Sequence, residues 1–214
     1  KKVIFIDNLN SYELSILAKK KILKKSLFII ISKSGNTLET LANTMFFKNK
    51  INKKNSIIIT ESKPNLLQKT FKKRKILNIA HKKYIGGRYS VLSEVGMLPA
   101  YLMGLNPQKF RSSITKYLKK QNRTFLINSS SILSQKFLYK KFNAIIFFNY
   151  CPRLNEFVFW CQQLLSESLG KSGRGMLPTL SPAPKDNHSL LQLYLDGPKD
   201  KVFYILSSND KKNK

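Results

Sequence analysis

Short apolar runs alternate along the chain with longer stretches whose apolar residues recur every three or four positions. Residues 3–6 (VIFI), 27–31 (LFIII), 57–59 (III) and 76–80 (ILNIA) are runs of strand length. Asn10-Ser11-Tyr12-Glu13 has the form of a capping box and predicts a helix from there to residue 22. After Thr37, the apolar positions Leu38, Leu41, Ala42, Met45 and Phe46 fall on one helical stripe, and a further helical pattern starts at Pro64. Apolar strands separated by helices predict a parallel sheet covered on both faces.

The pattern breaks at Gly104-Leu105-Asn106-Pro107 and then repeats on a smaller scale. A helix is expected over 108–119, a strand over 124–127, a helix over 131–142 and a strand over 144–148. A long helix over 154–169 follows, with Phe157, Trp160, Cys161, Leu164 and Leu165 as its buried stripe. A short helix over 186–196, stopped by Gly197, leads to a strand over 202–206. The expected fold class is therefore α/β, with two subdomains at residues 1–105 and 106–214, each a parallel sheet flanked by helices.

Composition adds three constraints. With 214 residues and 42% hydrophobic content, the chain can bury a core. None of its apolar runs approaches the roughly 20 residues that span a bilayer, and the opening KKVIFIDNLN does not have the form of a signal peptide. It is expected to begin inside a domain and to have no membrane partner. The net charge of +28 raises nucleic acid as a partner. However, the lysines come as scattered pairs and triplets, from Lys19-Lys20-Lys21 to Lys140-Lys141, between apolar blocks. The joint excess of Lys, Asn and Ile matches an AT-rich coding bias, and no zinc-finger or aromatic RNA-binding motif is present. No nucleic-acid partner is expected, while the positive field suits an anionic metabolite. Cys151 and Cys161 lie ten residues apart, and His81 and His188 are scattered, so no metal pattern forms. Two reduced thiols in a cytoplasmic protein are expected.

Three stretches could carry chemistry. In ISKSGNTLET, residues 31–40, a buried strand ends in a loop of small hydroxyl residues and a helix begins. Ligands bind beyond the carboxyl ends of strands in open parallel sheets. The helix N-terminus there offers unpaired N–H groups to an anion, and Ser32, Ser34, Thr37 and Thr40 add hydroxyls suited to a phosphate monoester. The alternative is a plain helix start capped by Asn36 or Thr37. In KKYIGGRYS, Gly86 and Gly87 permit unusual dihedrals and close approach of a ligand. Arg88 follows at a strand-to-helix turn, as a fixed cation or as one half of a surface ion pair. In the third stretch, FVFWCQQLLSESLGKSG, Glu156, Gln163 and Glu167 share a helix face. Glu167 falls in the last turn, where the dipole and partial burial would both disfavour its ionisation, as a general base requires. In DNHSLLQLYLDG, Asp186 is a plausible cap and His188 sits in the first turn, where a neutral imidazole is favoured. An exposed glutamate and a capping histidine are the alternative.

Taken in order, ISKSGNTLET, GGRYS and WCQQLLSESLGK through DNHSLLQLYLDGPKDK resemble the glucose-6-phosphate isomerase family over nearly the whole chain. The resemblance implies two sugar-isomerase subdomains and reversible conversion of glucose 6-phosphate to fructose 6-phosphate without metal or organic cofactor. It implies a phosphate loop at Ser32, Lys33, Ser34, Thr37 and Thr40, and an arginine, Arg88 after Gly87, that stabilises an enediolate. It further implies Glu167 as the base, Gln163 lining the site one turn earlier, and His188 assisting ring opening. A homodimer is implied, with His188 entering the neighbouring subunit's site. Dual activity on mannose 6-phosphate and a non-catalytic sugar-phosphate-binding regulator are the competing readings. The family's upstream glycine-serine loop has no match. Its C-terminal catalytic lysine is assigned to none of Lys211, Lys212 and Lys214. Because family members are about twice as long, the chain reads as an interior fragment with both subdomains incomplete.

Overall fold

The computed structural model describes residues 3–139 and 142–208. Lys140-Lys141 and the C-terminal lysines Lys211, Lys212 and Lys214 lie outside the described residues. Contacts divide the chain into two compact units, Lys1–Ser113 and Ile114–Lys214.

The first unit is built on three parallel strands, β1 (Phe28–Ile31), β2 (Ser56–Thr60) and β3 (Leu77–Ala80), in that spatial order. Ile30 lies in register with Ile58, and both are buried in one cluster with Leu14, Leu17, Phe47, Leu67 and Phe71. Those partners come from α1 (Ser11–Lys19), the end of α2 (Leu38–Phe46) and α3 (Leu66–Phe71). Asn10 caps α1 by accepting from the Glu13 N–H at 3.2 Å, as the capping box predicts. The helix stops at Lys19, and a 3-10 segment, Lys21–Lys25, completes the stretch expected to be helical to residue 22. Asn65 caps α3 by accepting from the Gln68 N–H.

Two expectations fail in this unit. Residues 3–6 form no strand: they run past α1, where Ile4, Phe5 and Ile6 line a cavity of about 350 Å³ with Leu14 and Leu17. The α2 stripe holds only at Leu41, which packs against the core. Leu38, Met45 and Phe46 are exposed, whereas Asn43 and Thr44 are buried. The buried Asn43 amide donates to the Asn8 carbonyl outside the helix, and the Thr44 hydroxyl is satisfied within it by the Thr40 carbonyl. Beyond β3, a 3-10 segment, Gly87–Leu92, leads to α4 (Glu94–Met103), capped by Ser93 and closed by left-handed Gly104, and then to α5 (Pro107–Arg111).

The second unit opens with α6 (Ile114–Leu118) and α7 (Lys120–Leu138). The strand expected over 124–127 is the first half of α7. The segment holds no glycine or proline, and Thr124, Ser130 and Ser134 donate to the carbonyls four residues back, which satisfies their hydroxyls within a helix. Three parallel strands follow: β4 (Ala144–Asn149), β5 (Leu177–Pro182) and β6 (Lys201–Leu206), with β4 in the centre. From Ile145 to Asn149, β4 is buried on both faces, which accounts for its unbroken apolar run. β5 contains Pro178 and Pro182, which weaken a strand pattern in sequence, and both are accommodated on a sheet edge.

The helix α8 (Asn155–Leu169) joins β4 to β5. Its inward face is Val158, Cys161 and Leu165, packed on Ile145, Phe147 and Leu180. The expected stripe of Phe157, Trp160, Cys161, Leu164 and Leu165 is therefore rotated: Val158 is fully buried, whereas Phe157 is half exposed and packs its ring edge-on against Trp160. The helix expected over 186–196 is two pieces, α9 (Asp186–Ser189) and α10 (Leu191–Asp196), with Gly197 ending the second. Among the described residues, no helix is long and apolar enough to cross a membrane.

Candidate active site

In the first unit the chemistry collects at the carboxyl ends of β1 and β3. The chain leaves β1 through Ser32, which is buried, and turns at Gly35 with φ +65°. Only glycine fits this turn: a Cβ on Gly35 would lie 2.1 Å from Asn65 Oδ1. The loop is braced on three sides. Gly35 N–H donates to the Ser32 carbonyl and hydroxyl, Asn36 Oδ1 accepts from Leu66 N–H, and the Lys33 carbonyl accepts from Glu61 N–H. Thr37 stands at the N-cap of α2, yet no side chain caps that helix. Its hydroxyl lies instead 2.9 Å from Ser32 Oγ. Neither Asn36 nor Thr37 caps α2 with its side chain. The first-turn N–H groups of α2 and the positive end of its dipole open on this turn, an arrangement that suits an anion. Ser34 Oγ accepts from Asn36 N–H, and Thr40 is one turn into the helix.

Beyond β3, His81 N–H pairs with the Thr60 carbonyl, and the chain then winds into the 3-10 segment that carries Arg88. Neither glycine adopts a left-handed conformation. Gly86 has φ −63°, and its lack of a Cβ matters because one would crowd Tyr89 at 3.1 Å. A Cβ on Gly87 would meet nothing within 4 Å, so the space over this residue is open. The Arg88 guanidinium lies 4.6 Å from the centre of the Tyr89 ring, a cation–π contact that holds the side chain. The two loops are joined by Lys33. Its ammonium donates to the carbonyls of Ile85 at 2.9 Å and Lys83 at 3.2 Å, and stands 3.7 Å from the buried carboxylate of Glu61. Glu61 also pairs with Lys63 at 3.0 Å, and that hydrogen bond is the main reason its carboxyl is held below the usual range. Sequence reasoning missed Glu61. The signal available was a lone acid at the carboxyl end of β2, between the two loops.

In the second unit, Gln163 and Glu167 meet as their spacing predicts: Gln163 Nε2 donates to Glu167 Oε1 at 2.8 Å. Glu167 is exposed, so the partial burial expected for it is not found in this chain. Asp186 does not cap a helix by its side chain. It is buried, and its two carboxylate oxygens accept from Ser181 and Ser189. His188 is exposed on α9, just beyond β5. Burial pushes the Cys161 thiol above its ordinary range, and both cysteines are free. Among the described residues, no cluster of three metal-ligating side chains occurs.

Topology separates Glu167 from His188. β4 and β5 are adjacent and parallel, so α8 runs back along the sheet between them. Gln162 marks its level by donating to the Pro178 carbonyl near the start of β5. Glu167 lies one and a half turns further, roughly 7 Å beyond that start, and β5 then rises on the order of 13 Å to Pro182 before α9 begins. The two side chains belong to opposite ends of one sheet.

Two three-stranded parallel sheets flanked by helices, with the residue 32–40 turn and the Arg88 loop at the carboxyl edge of the first, define the chain first as a protein of the phosphosugar-isomerase fold. Solved structures agree. A hypothetical protein from Thermus thermophilus superposes with a TM-score of 0.80 over 96% of this chain and 55% of its own, at 24% identity. A putative phosphosugar isomerase from Clostridium difficile gives 0.53 over 94% and 57%, at 14% identity. The phosphoglucose isomerase family profile matches residues 1–175, and the chain belongs to that family. It is 35% identical to the glucose-6-phosphate isomerase of Methanocaldococcus jannaschii, over 94% of this chain and 52% of the relative. It is 31% identical to the probable glucose-6-phosphate isomerase of Methanococcus maripaludis, over 99% and 50%. The chain thus spans about half the length of these curated relatives.

Proposed function

We propose that this chain is the substrate-handling part of an enzyme that interconverts glucose 6-phosphate and fructose 6-phosphate in glycolysis and gluconeogenesis. The observation that carries the reading is the junction of the hydroxyl-rich turn and the Arg88 loop at the carboxyl edge of one sheet, bridged by Lys33. The phosphate is held by Ser32, Ser34, Thr37, Thr40 and the uncapped start of α2. Its binding energy positions carbons 1 and 2 of the sugar. Glu167, oriented by Gln163, takes the proton from carbon 2 of the open-chain aldose and returns it to carbon 1. Arg88 stabilises the negative charge on the enediolate oxygen between the two transfers, and the open space over Gly87 admits the substrate. His188 carries the proton in ring opening. This chemistry asks for a base, a fixed cation and a proton carrier, and for no cofactor.

The opposite placement of Glu167 and His188 supports a homodimer in which His188 serves the site of the second copy. Free cysteines are in keeping with the reducing cytoplasm, where we place the enzyme. The test is a coupled assay for fructose 6-phosphate conversion, run on the 214-residue chain and on a chain extended to the length of its relatives. Turnover by the extended chain is expected. Its absence, with phosphate bound normally, would leave only a sugar-phosphate-binding protein.

A further inference from the structure

Lys33 belongs to the hydroxyl-rich turn, and the obvious role for a lysine there is to neutralise a phosphate. Its surroundings argue otherwise. An ammonium has three N–H donors. Two are engaged by the carbonyls of Ile85 and Lys83, and Glu61 Oε1 lies 3.7 Å away on a residue that is only 7% exposed. The backbone of the same residue is fixed as well, since its carbonyl accepts from both Glu61 N–H and Thr60 Oγ1. Lys33 is therefore held to β2 through its backbone while its side chain reaches across the end of β2 to the loop beyond β3.

That loop leads directly to the arginine. Ile85 is followed by Gly86, whose carbonyl accepts from Tyr89 N–H, and by Gly87, whose carbonyl accepts from the buried Ser90 hydroxyl. From Gly86 to Ser90 the chain is one hydrogen-bonded turn with Arg88 inside it. Ile85 is joined directly to the first residue of that turn, so a shift at Ile85 is passed into the turn that carries Arg88. Charge-assisted bonds from an ammonium to carbonyls are about twice as strong as neutral ones, and here they tie the phosphate turn to the Arg88 turn.

We propose that Lys33 is a positioning residue that couples phosphate occupancy of the residue 32–40 turn to the placement of Arg88, with Glu61 anchoring its ammonium. The proposal rests on the isomerase reading above, and the experiment separates the two. Backbone hydrogen exchange is followed in the 214-residue chain, wild type and Lys33→Met, with and without saturating inorganic phosphate. In the wild type, phosphate is expected to slow exchange at residues 32–40 and also at 82–92. In Lys33→Met, protection at 32–40 persists while protection at 82–92 is lost, and phosphate-free exchange at 82–92 rises about tenfold. Lys33→Arg, which restores charge and donors, recovers part of the coupling and guards against a simple folding defect.

Loss of protection at both segments in Lys33→Met would make Lys33 a phosphate ligand and overturn the proposal. Protection kept at both would overturn it too. No protection at 32–40 in the wild type would instead bring down the phosphate-turn reading, and the coupling with it. In the extended, active chain, Lys33→Met is expected to lower kcat by about tenfold beside Arg88 but by less than twofold in an Arg88→Lys background. Equal effects in both backgrounds would show that Lys33 does not act through Arg88.

Discussion

The Gln163 amide donates to Glu167 Oε1 across one turn of α8, at 2.8 Å. Both residues are exposed, so the bond adds only a few tenths of a kcal/mol to the helix, as is usual for such pairs. Its value is in direction, because it biases which way the carboxylate points. In the extended chain, Glu167→Gln is expected to lower kcat by about a thousandfold with little change in KM, since a general base contributes roughly 10² to 10⁴. Gln163→Ala is expected to lower kcat by about tenfold without changing the melting temperature by more than a degree or so. Steady-state kinetics beside thermal melts checks both. Wild-type turnover in Glu167→Gln would remove that carboxylate from the mechanism.

Arg88 is held by stacking on Tyr89 at 4.6 Å. A lysine at this position keeps the charge but loses the planar fork and the stacking. Arg88→Lys is therefore expected to lower kcat by about a hundredfold, the scale on which a lost oxyanion partner registers. Tyr89→Ala is expected to lower it by a smaller factor, through a less ordered guanidinium. If Arg88→Lys raises KM and leaves kcat unchanged, the arginine binds the substrate equally in ground and transition states.

The parts of this fold that sequence pattern made legible are those in which pattern and burial coincide. β1, β2 and β4 are apolar because they are enclosed, and their runs mark them to within a residue. Asn10 and Gly197 mark helix ends because their chemistry is local. What periodicity could not decide was which face of a helix turns inward. α2 buries Asn43, whose amide meets the Asn8 carbonyl, beside Thr44, whose hydroxyl bonds back within the helix, and α8 is rotated so that Val158 rather than Phe157 meets the sheet. The run at 124–127 was short enough to suit either strand or helix, and the hydroxyl back-bonding in α7 depends on the helix already existing. At the site, residue types were readable and relations were not. Nothing in the residue order shows that Lys33 reaches Ile85, that Glu61 stands between two lysines, or that Thr37 spends its hydroxyl on Ser32 instead of capping α2.

Gly35 offers a test of the proposed phosphate turn that leaves every proposed ligand in place. Its φ of +65° is strained for any other residue, and a Cβ would overlap Asn65 Oδ1 at 2.1 Å. Asn65 cannot yield easily, because it caps α3 and its amide donates to the Lys63 carbonyl. Gly35→Ala is expected to destabilise the chain by about 2 kcal/mol or more, the strain of the left-handed conformation being compounded by the clash. Phosphate affinity should fall with it. Denaturant melts and phosphate titration on the folded variant measure the two effects separately. A variant of wild-type stability would show that the turn relaxes freely.

The acid response of the chain follows from Glu61. Its carboxyl is held below the ordinary value of 4.5, first by the hydrogen bond from Lys63 and then by the charges of Lys63 and Lys33, against the opposing effect of burial. A carboxyl whose folded pKa is depressed stabilises the native state above its unfolded value and loses that contribution as pH falls through the folded value. Melting temperature should therefore decline as pH drops from about 5 to about 3. Asp200, held low by Lys201, acts in the same direction, so removing Glu61 should shrink the decline without abolishing it. Glu61→Gln is expected to melt lower than wild type at pH 7 and to approach it near pH 3. Parallel curves, offset equally at both pH values, would mean that Glu61 contributes by packing and not by its charge.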